Sequence, residues 1–440
     1  MNPLKKIKDW IAEGKAGWHL AGGRSSLKQG KYKEALKEFR KALKARPNNP
    51  EILHYNAITL LKLKRPEKAL ECYEKILKNN PKLAEAWNNK GVVLKELKRY
   101  DEALECYEKA LQIDPEDDGT WNNKGGLLNT IGKPEKALEC HERALKINPE
   151  NAEAWNNKGV TLGELGKYDE ELESYEKALQ INPEFVEAWY NKGSVLIYLK
   201  KYKKALKCFE KAIELNPKNY RAWGTKGITL HNLKIYEEAL KCYDKVLQLN
   251  PQDDKAWNNK GLVFNELGRY DESLECYEKA LQINPKLAEA WNNKGVVLSE
   301  LGRYEEALEC YEKALEIDPE DDKTWNNKGL VLEELGKYED ALECFQKALE
   351  INPEFADAWK WKGIILEDLK EPEEALKCYK KALKLNPQNK TLWYMQGKTL
   401  QKLGKHKEAL KCYEKSLEID PEYKKAKKAL KELTIQKNQP

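Results

Sequence analysis

The strongest constraint on this 440-residue chain is a spacing of 34. Trp87 recurs as Trp121, Trp155, Trp189, Trp223, Trp257, Trp291, Trp325, Trp359 and Trp393. A proline recurs at the same interval, from Pro47 and Pro81 through Pro115 and Pro149 to Pro387 and Pro421. A fixed period of this size means a stack of small supersecondary units, because each unit is too short to bury an apolar face alone. The two or three domains that the length would ordinarily suggest are therefore replaced by one growing array.

Counting Ala84 as position one, each unit reads as two helices with breakers between them. Helix A is expected over roughly positions two to fourteen and helix B over roughly eighteen to thirty. Gly stands between them at Gly166, Gly268, Gly302, Gly336 and Gly404, as is usual just past a helix end. The proline at position thirty-two cannot continue helix B and pushes its Asn or Asp neighbour out of helical geometry. On helix A, Trp four, Gly eight and Leu eleven share a face. On helix B, Ala twenty, Tyr twenty-four and Ala twenty-seven share another. The two faces are expected to pack together, so Trp223→Ala should cost about 3–5 kcal/mol.

The set Trp87, Gly91, Leu94, Tyr100, Ala103, Tyr107, Ala110 and Pro115 resembles the tetratricopeptide repeat. The chain looks like a long array of the kind found in prokaryotic and archaeal members of that family and in the Ser/Thr O-linked sugar transferase. The resemblance implies an all-α fold, an α-solenoid forming a right-handed superhelix of antiparallel helix pairs. Twelve repeats are expected over residues 16–423, starting at 16, 50, 84, 118, 152, 186, 220, 254, 288, 322, 356 and 390. The first two are degenerate, with His19 and Leu53 replacing Trp and Ala57 replacing Gly. Residues 1–15 are expected to hold an N-terminal capping helix over 3–13, with Leu4, Ile7 and Ile11 as its apolar stripe. Residues 424–440 are expected to hold a C-terminal capping helix and a frayed tail from Thr434.

Composition narrows the function. Charged residues make up 34% of the chain in both signs, as on a solvated surface. The net charge is +5, but residues 1–50 carry +9 and residues 424–440 carry +5, which leaves −9 between them. The basic character that could point to nucleic acid sits at the ends. No apolar run approaches the ~18–20 residues that span a bilayer, and the start does not read as a secretory signal, so a cytoplasmic protein is expected. The ten cysteines share position twenty-three, on helices too far apart for a disulfide or a zinc site. Reduced, buried thiols, no metal and no cofactor are expected. No phosphate loop, HExxH or GxSxG occurs, so no catalytic residue is assigned and the chain is read as a non-enzyme.

The face of helix A opposite the Trp carries a different pattern. Position six is Asn89, Asn123, Asn157, Asn191, Asn259, Asn293 and Asn327. Position nine is aliphatic at Val92, Val160, Leu262, Val296 and Leu330. Position thirteen is acidic at Glu96, Glu164, Glu266, Glu300 and Glu334. Asn is a poor helix former, so its repetition there asks for a reason. In the family this strip is the concave surface, and in the sugar transferase the amides at this position grip the backbone of an extended peptide. The resemblance therefore implies a protein-interaction scaffold that holds a peptide on an Asn ladder, with the carboxylates favouring basic side chains. An amide both donates and accepts, so such a ladder can hold a backbone without reading its sequence. The flanking Asn at position five is expected to bond between helices.

Two alternatives stand beside this reading. Single-stranded RNA binding is disfavoured by a groove of amides and acids, though Lys200, Lys201, Lys203, Lys204 and Lys207 keep it open. End-to-end self-assembly of the solenoid is the other. The family's carboxylate clamp is not matched, since Ile364 and Met395 stand where Asn is needed after Lys360. Residues 81–117 and 285–321 are nearly identical, so repetition by itself does not mark function. Three departures remain. Lys at position seven (Lys90 and its equivalents) is expected to reach a Glu of the following repeat. Glu171 replaces Ala at position twenty and, in the preceding repeat, His141 replaces Tyr at twenty-four, which leaves a pairing of the two open, and Glu171→Ala is expected to raise the melting temperature.

Overall fold

The computed structural model describes residues 3–437, with side chains from 13 to 434. These residues form twenty-five α-helices and no strand. The chain divides into two compact units, residues 1–222 and 223–440. The first opens with α1 (Pro3–Lys28) and α2 (Tyr32–Ala45), then α3 (Pro50–Lys62), α4 (Pro66–Asn79), α5 (Ala84–Glu96), α6 (Tyr100–Ile113) and α7 (Asp118–Thr130). It continues with α8 (Pro134–Ile147), α9 (Ala152–Glu164), α10 (Tyr168–Ile181), α11 (Val186–Tyr198) and α12 (Tyr202–Leu215). After α13 (Tyr220–Asn232), the second unit runs through α14 (Tyr236–Leu249), α15 (Asp254–Glu266), α16 (Tyr270–Ile283), α17 (Ala288–Glu300), α18 (Tyr304–Ile317) and α19 (Asp322–Glu334). It ends with α20 (Tyr338–Ile351), α21 (Ala356–Asp368), α22 (Pro372–Leu385), α23 (Lys390–Lys402), α24 (His406–Ile419) and α25 (Lys424–Lys437). Each unit is an α-solenoid of antiparallel helix pairs.

Local chemistry sets the helix ends. Helix B stops at position thirty, where the following Asp114 N–H bonds back to Ala110 at 2.8 Å. The Asp114 side chain then accepts from the Glu116 N–H at 3.2 Å, and Asn148 and Asn182 do the same before Pro149 and Pro183. The Asn–Pro or Asp–Pro pair therefore closes the turn as well as stopping the helix. Position thirty-four often caps the next helix A: Asn151 accepts from Ala154 N–H at 2.9 Å and Asp253 from Ala256 N–H at 2.9 Å. Between helices A and B, position fifteen is left-handed throughout. It is Gly at seven places and Lys at five, namely Lys64, Lys98, Lys200, Lys234 and Lys370, with φ from 56° to 65°.

Two strips of helix A are buried. One faces its own helix B, where a Cβ on Gly91 would lie 2.6 Å from the Tyr107 ring and one on Gly295 2.6 Å from Tyr311. Glycine at position eight is what lets the aromatic at twenty-four fill the pair. The other strip, at positions three and ten, meets the preceding pair. Ala154, Thr161, Ala290 and Val297 are fully buried there. The Trp residues lie at the outer rim, half-buried. The indole N–H of Trp87 donates to the Pro81 carbonyl that closes the preceding repeat, and that of Trp155 to Pro149, both at 2.9 Å, and Trp121, Trp189, Trp257, Trp291, Trp325, Trp359 and Trp393 make the same bond.

Three expectations change. Lys seven does not reach forward: Lys294 pairs with Glu278 at 2.9 Å and Lys260 with Asp244 at 2.6 Å, both in the preceding repeat. The ammonium also sits over the neighbouring indole, at 5.6 Å from the ring centre for Lys90 on Trp87. The N-terminal helix does not end at residue 13, because α1 runs unbroken to Lys28. No proline or cap interrupts it, and Gly14 costs a helix only about 1 kcal/mol. The side chains of Leu4, Ile7 and Ile11 lie outside the described residues. At the other end α25 continues past Thr434 to Lys437.

Candidate functional site

The Asn residues at position six are all half-buried, and most are held by the repeat before them. Asn123 donates to the Asn88 carbonyl oxygen at 3.0 Å, Asn157 to Asn122 at 3.1 Å and Asn191 to Asn156 at 3.0 Å. In the second unit Asn293 donates to Asn258 at 3.1 Å and Asn327 to Asn292 at 3.0 Å. The donors and acceptors stand 35 residues apart, at position six of one repeat and position five of the previous one. Position five is therefore the acceptor half of an inter-repeat amide bridge, which the helical projection left on the flank.

Each bridge uses one of the two N–H bonds of its donor amide. It fixes the rotamer, so the second N–H and the carbonyl oxygen are presented in a set direction. Asn259 has no such acceptor, because Gly224 stands at position five before it. Asn89 instead shares a cavity of about 300 Å³ with His54, Tyr55 and Glu85. Beside the amides, Val92, Leu262, Val296 and Leu330 are half-buried and Val160 is exposed. Glu96, Glu164, Glu266, Glu300 and Glu334 are all exposed. The strip is thus an amide row with an aliphatic edge and a solvated carboxylate edge.

The carboxylate edge has partners that helical spacing did not suggest. Tyr236, at position seventeen, donates its hydroxyl to Glu266 of the next repeat at 2.5 Å. That bond, with His231 beside it, holds the Glu266 carboxyl below the usual range. Tyr168 stands in the same relation to Tyr198, which replaces the acid, and the ring centres lie 4.0 Å apart with the planes tilted by 38°. The signal was a spacing of 30 between positions seventeen and thirteen. Further on, burial and the neighbouring Glu334 and Asp368 push the Glu333 carboxyl up, which marks a concentration of negative charge.

His141 and Glu171 do not pair. His141 Nδ1 lies 3.1 Å from the Asn122 carbonyl oxygen, so it joins the amide row. Burial, helped by Lys158 and Lys95, pushes its pKa down to about 4, so the ring is neutral at pH 7. Glu171 accepts from the Tyr175 hydroxyl at 3.1 Å, and burial raises its pKa. Its carboxyl occupies the space over Gly163, where a Cβ would lie 2.9 Å away. Glycine at position twelve thus makes room for the acid at twenty. An alanine at 171 would leave that space empty and the Tyr175 hydroxyl without this partner, which opposes the gain expected from it.

The remaining chemistry is inert. All ten cysteines are buried, and burial pushes thiols such as Cys276 and Cys344 up to about 11. Among the described residues no group of His, Cys, Asp or Glu is placed to hold a metal ion. No described helix is long and apolar enough to cross a membrane. Lys360 is occupied, pairing with Asp357 at 3.0 Å and lying over the Trp361 ring.

Known proteins fit this architecture. Residues 84–117, 120–151, 152–185, 186–219 and 220–253 match the tetratricopeptide repeat, and residues 26–90 match a second description of it. Residues 252–440 match the C-terminal domain of cilia and flagella-associated protein 70. No curated protein sequence matches. The crystal structure of the APC/C hetero-tetramer Cut9–Hcn1 is similar over 98% of this chain and 99% of that one, with 16% identity and a TM-score of 0.50, a likeness of fold. YrrB, described as a TPR protein with an unusual peptide-binding site, aligns with 42% of this chain and 95% of its own at 29% identity and a TM-score of 0.37. Yeast Tom70 aligns with 85% of this chain and 92% of its own at 15% identity and a TM-score of 0.46. With the helix pairs, the glycine–aromatic contacts and the proline-closed turns described above, the family matches over residues 26–253 identify the chain as one built of tetratricopeptide repeats.

Proposed function

We propose that this chain is a non-enzymatic interaction scaffold in which seven of the twelve repeats present Asn amides, Asn89 to Asn191 in the first unit and Asn259 to Asn327 in the second, to extended segments of a partner protein. The observation that carries the reading is the bridge from position six to position five. It orients the amides of Asn123, Asn157, Asn191, Asn293 and Asn327 and leaves each a further N–H and a carbonyl oxygen with room to accept, although that of Asn157 already accepts from Asn156 at 3.4 Å. An extended backbone offers the complementary donors and acceptors at every residue. The carboxylates at Glu96, Glu164, Glu266, Glu300 and Glu334 then favour segments with Lys or Arg side chains.

Peptide-array binding tests this reading. Wild type is expected to retain extended basic peptides, and a variant with Asn157, Asn191 and Asn293 changed to Ala should lose them while keeping its helical circular dichroism. Equal retention by the two proteins would remove the amide row from the binding face. RNA binding is the weaker alternative, since this face offers carboxylates and amides where a nucleic acid needs cations and stacking rings. A steep loss of retention between low and moderate salt would favour it instead.

A further inference from the structure

The outer side of the helix pairs carries a second kind of surface. Between the repeats that start at 84 and 118 lies a crevice of about 670 Å³. Its apolar part is Leu104, Trp121 and Leu128, and its rim includes Lys133, Lys136 and Arg143. These are position twenty-one of one repeat, positions four and eleven of the next, and positions sixteen, nineteen and twenty-six of that next repeat. At the joint between the repeats that start at 152 and 186, the apolar positions are Leu172, Trp189 and Leu196, which pack in one cluster. The rim positions there are Lys201, Lys204, Lys207 and Lys211.

Several of the B helices neutralise this rim themselves, whereas α4 (Arg65, Lys68) and α8 (Lys133, Lys136) carry two cations there. Arg99 pairs with Glu102 at 2.6 Å, Arg269 with Glu272 at 2.5 Å and Arg303 with Glu306 at 2.7 Å, all from position sixteen to nineteen. In α12 position nineteen is Lys204, so the pair is replaced by two cations. α12 has no acid in its first turn, whereas each of the other even-numbered helices has at least one. Lys201, Lys203, Lys204 and Lys207 are exposed and form no ion pair among the described residues. Two acids of the flanking helices are engaged elsewhere, Glu176 with Lys192 at 2.9 Å and Glu214 with Lys211 at 2.9 Å.

We propose that this face of α11 and α12 docks an acidic, amphipathic segment of a partner protein. Its carboxylates would meet Lys201, Lys204 and Lys207, and an apolar side chain would lie on the partly buried Leu172 and Trp189. The surface is separate from the amide row and does not depend on that reading. Charge complementarity selects an acidic occupant, and the apolar floor selects one with a hydrophobic anchor. A nucleic acid fits less well. The rim cations are lysines without the flat fork of arginine, and Lys192 already lies over the Trp189 ring, 5.8 Å from its centre.

The test uses the full chain and a fluorescein-labelled helical peptide with Glu and Leu at helical spacing. Its controls are the same peptide with Ser for Leu, and an oligo(U) RNA. Wild type should bind the Glu/Leu peptide, more weakly as salt rises, and K204E/K207E should weaken binding about tenfold or more. Both side chains are exposed, and K204E restores the pair made in α6, so the variant is expected to fold; its circular dichroism checks this. N157A/N191A should leave the affinity unchanged, which separates this surface from the amide row. Unaltered binding by K204E/K207E overturns the proposal. So does equal affinity for the Ser control, and so does displacement by oligo(U) at a lower concentration than the peptide itself requires.

Discussion

At the outer edge of the stack, Trp87 bonds Pro81, Trp189 bonds Pro183 and Trp325 bonds Pro319, with N···O distances of 2.8 to 2.9 Å. At the inner edge, the amide bridge joins Asn157 to Asn122 and Asn293 to Asn258, but Asn259 meets Gly224 and Asn89 meets His54. The outer joint repeats with little change, while the inner one is edited from repeat to repeat. The difference follows from what each side does. The outer joint closes a turn and caps an aromatic ring, so any loss is felt by the two repeats it connects. The inner joint orients half-exposed donor amides on acceptors such as Asn122 and Asn258 that are buried, so its residues vary with what they contact, but a bridge lost there leaves a buried oxygen without that donor.

The comparison can be tested by damage. Trp257→Ala at the outer joint should remove about 3 kcal/mol, the lower end for a large aromatic because the ring is half-buried. Urea unfolding of the full chain measures it. If Asn293→Ala costs as much, the two edges are not different in kind.

The second largest effect is expected where the inner edge is most buried. The folded His141 binds a proton with a pKa of about 4, below the ordinary value of 6.5. The unfolded chain therefore holds a proton between those values that the folded one does not. Stability attributable to this site is complete above pH 6.5 and falls as pH drops toward 4, by about 3 kcal/mol in all. His141→Tyr, which restores the aromatic found at this position in most repeats, should flatten that acid limb in melts recorded from pH 7 to pH 4.

Mending the inner edge should help by less. Gly224→Asn would give Asn259 its missing acceptor, and a Cβ there meets nothing nearer than Val246 at 3.8 Å. Relief of a mid-helix glycine and one new hydrogen bond together predict a gain of about 1 kcal/mol. A fall in the melting temperature would show that the site at 224 is closed to a side chain. The smallest effect is expected from Asn293→Ala itself, a loss of about 0.5–1 kcal/mol by denaturant, because one hydrogen bond is removed and its donor is half-exposed.

Much of the fold was legible in the spacing of Trp, Gly, Tyr and Pro, because Gly and Tyr meet within one helix pair and Trp and Pro recur from joint to joint. What lay between pairs was not. A single helical projection places Val93 and Leu127 well away from Trp and cannot show that the preceding repeat covers them. The bridge from Asn123 to Asn88, the bond from Tyr236 to Glu266 and the reach of Lys294 back to Glu278 span three different separations, and none is a helical period. Glu171 looked like a fault at its own position and is intelligible only beside Gly163. The candidate strip was readable as a set of residue types, but the reason its amides point where they do was not.

The bond from indole to proline carbonyl has a consequence for inheritance. A repeat that begins at Ala84 leaves behind the oxygen its own tryptophan needs, since Pro81 belongs to the unit before. The heritable module is therefore offset from the structural one and runs from proline to proline. The near-identical stretches at 81–117 and 285–321 both include that proline, so each copy carries its own half of the joint.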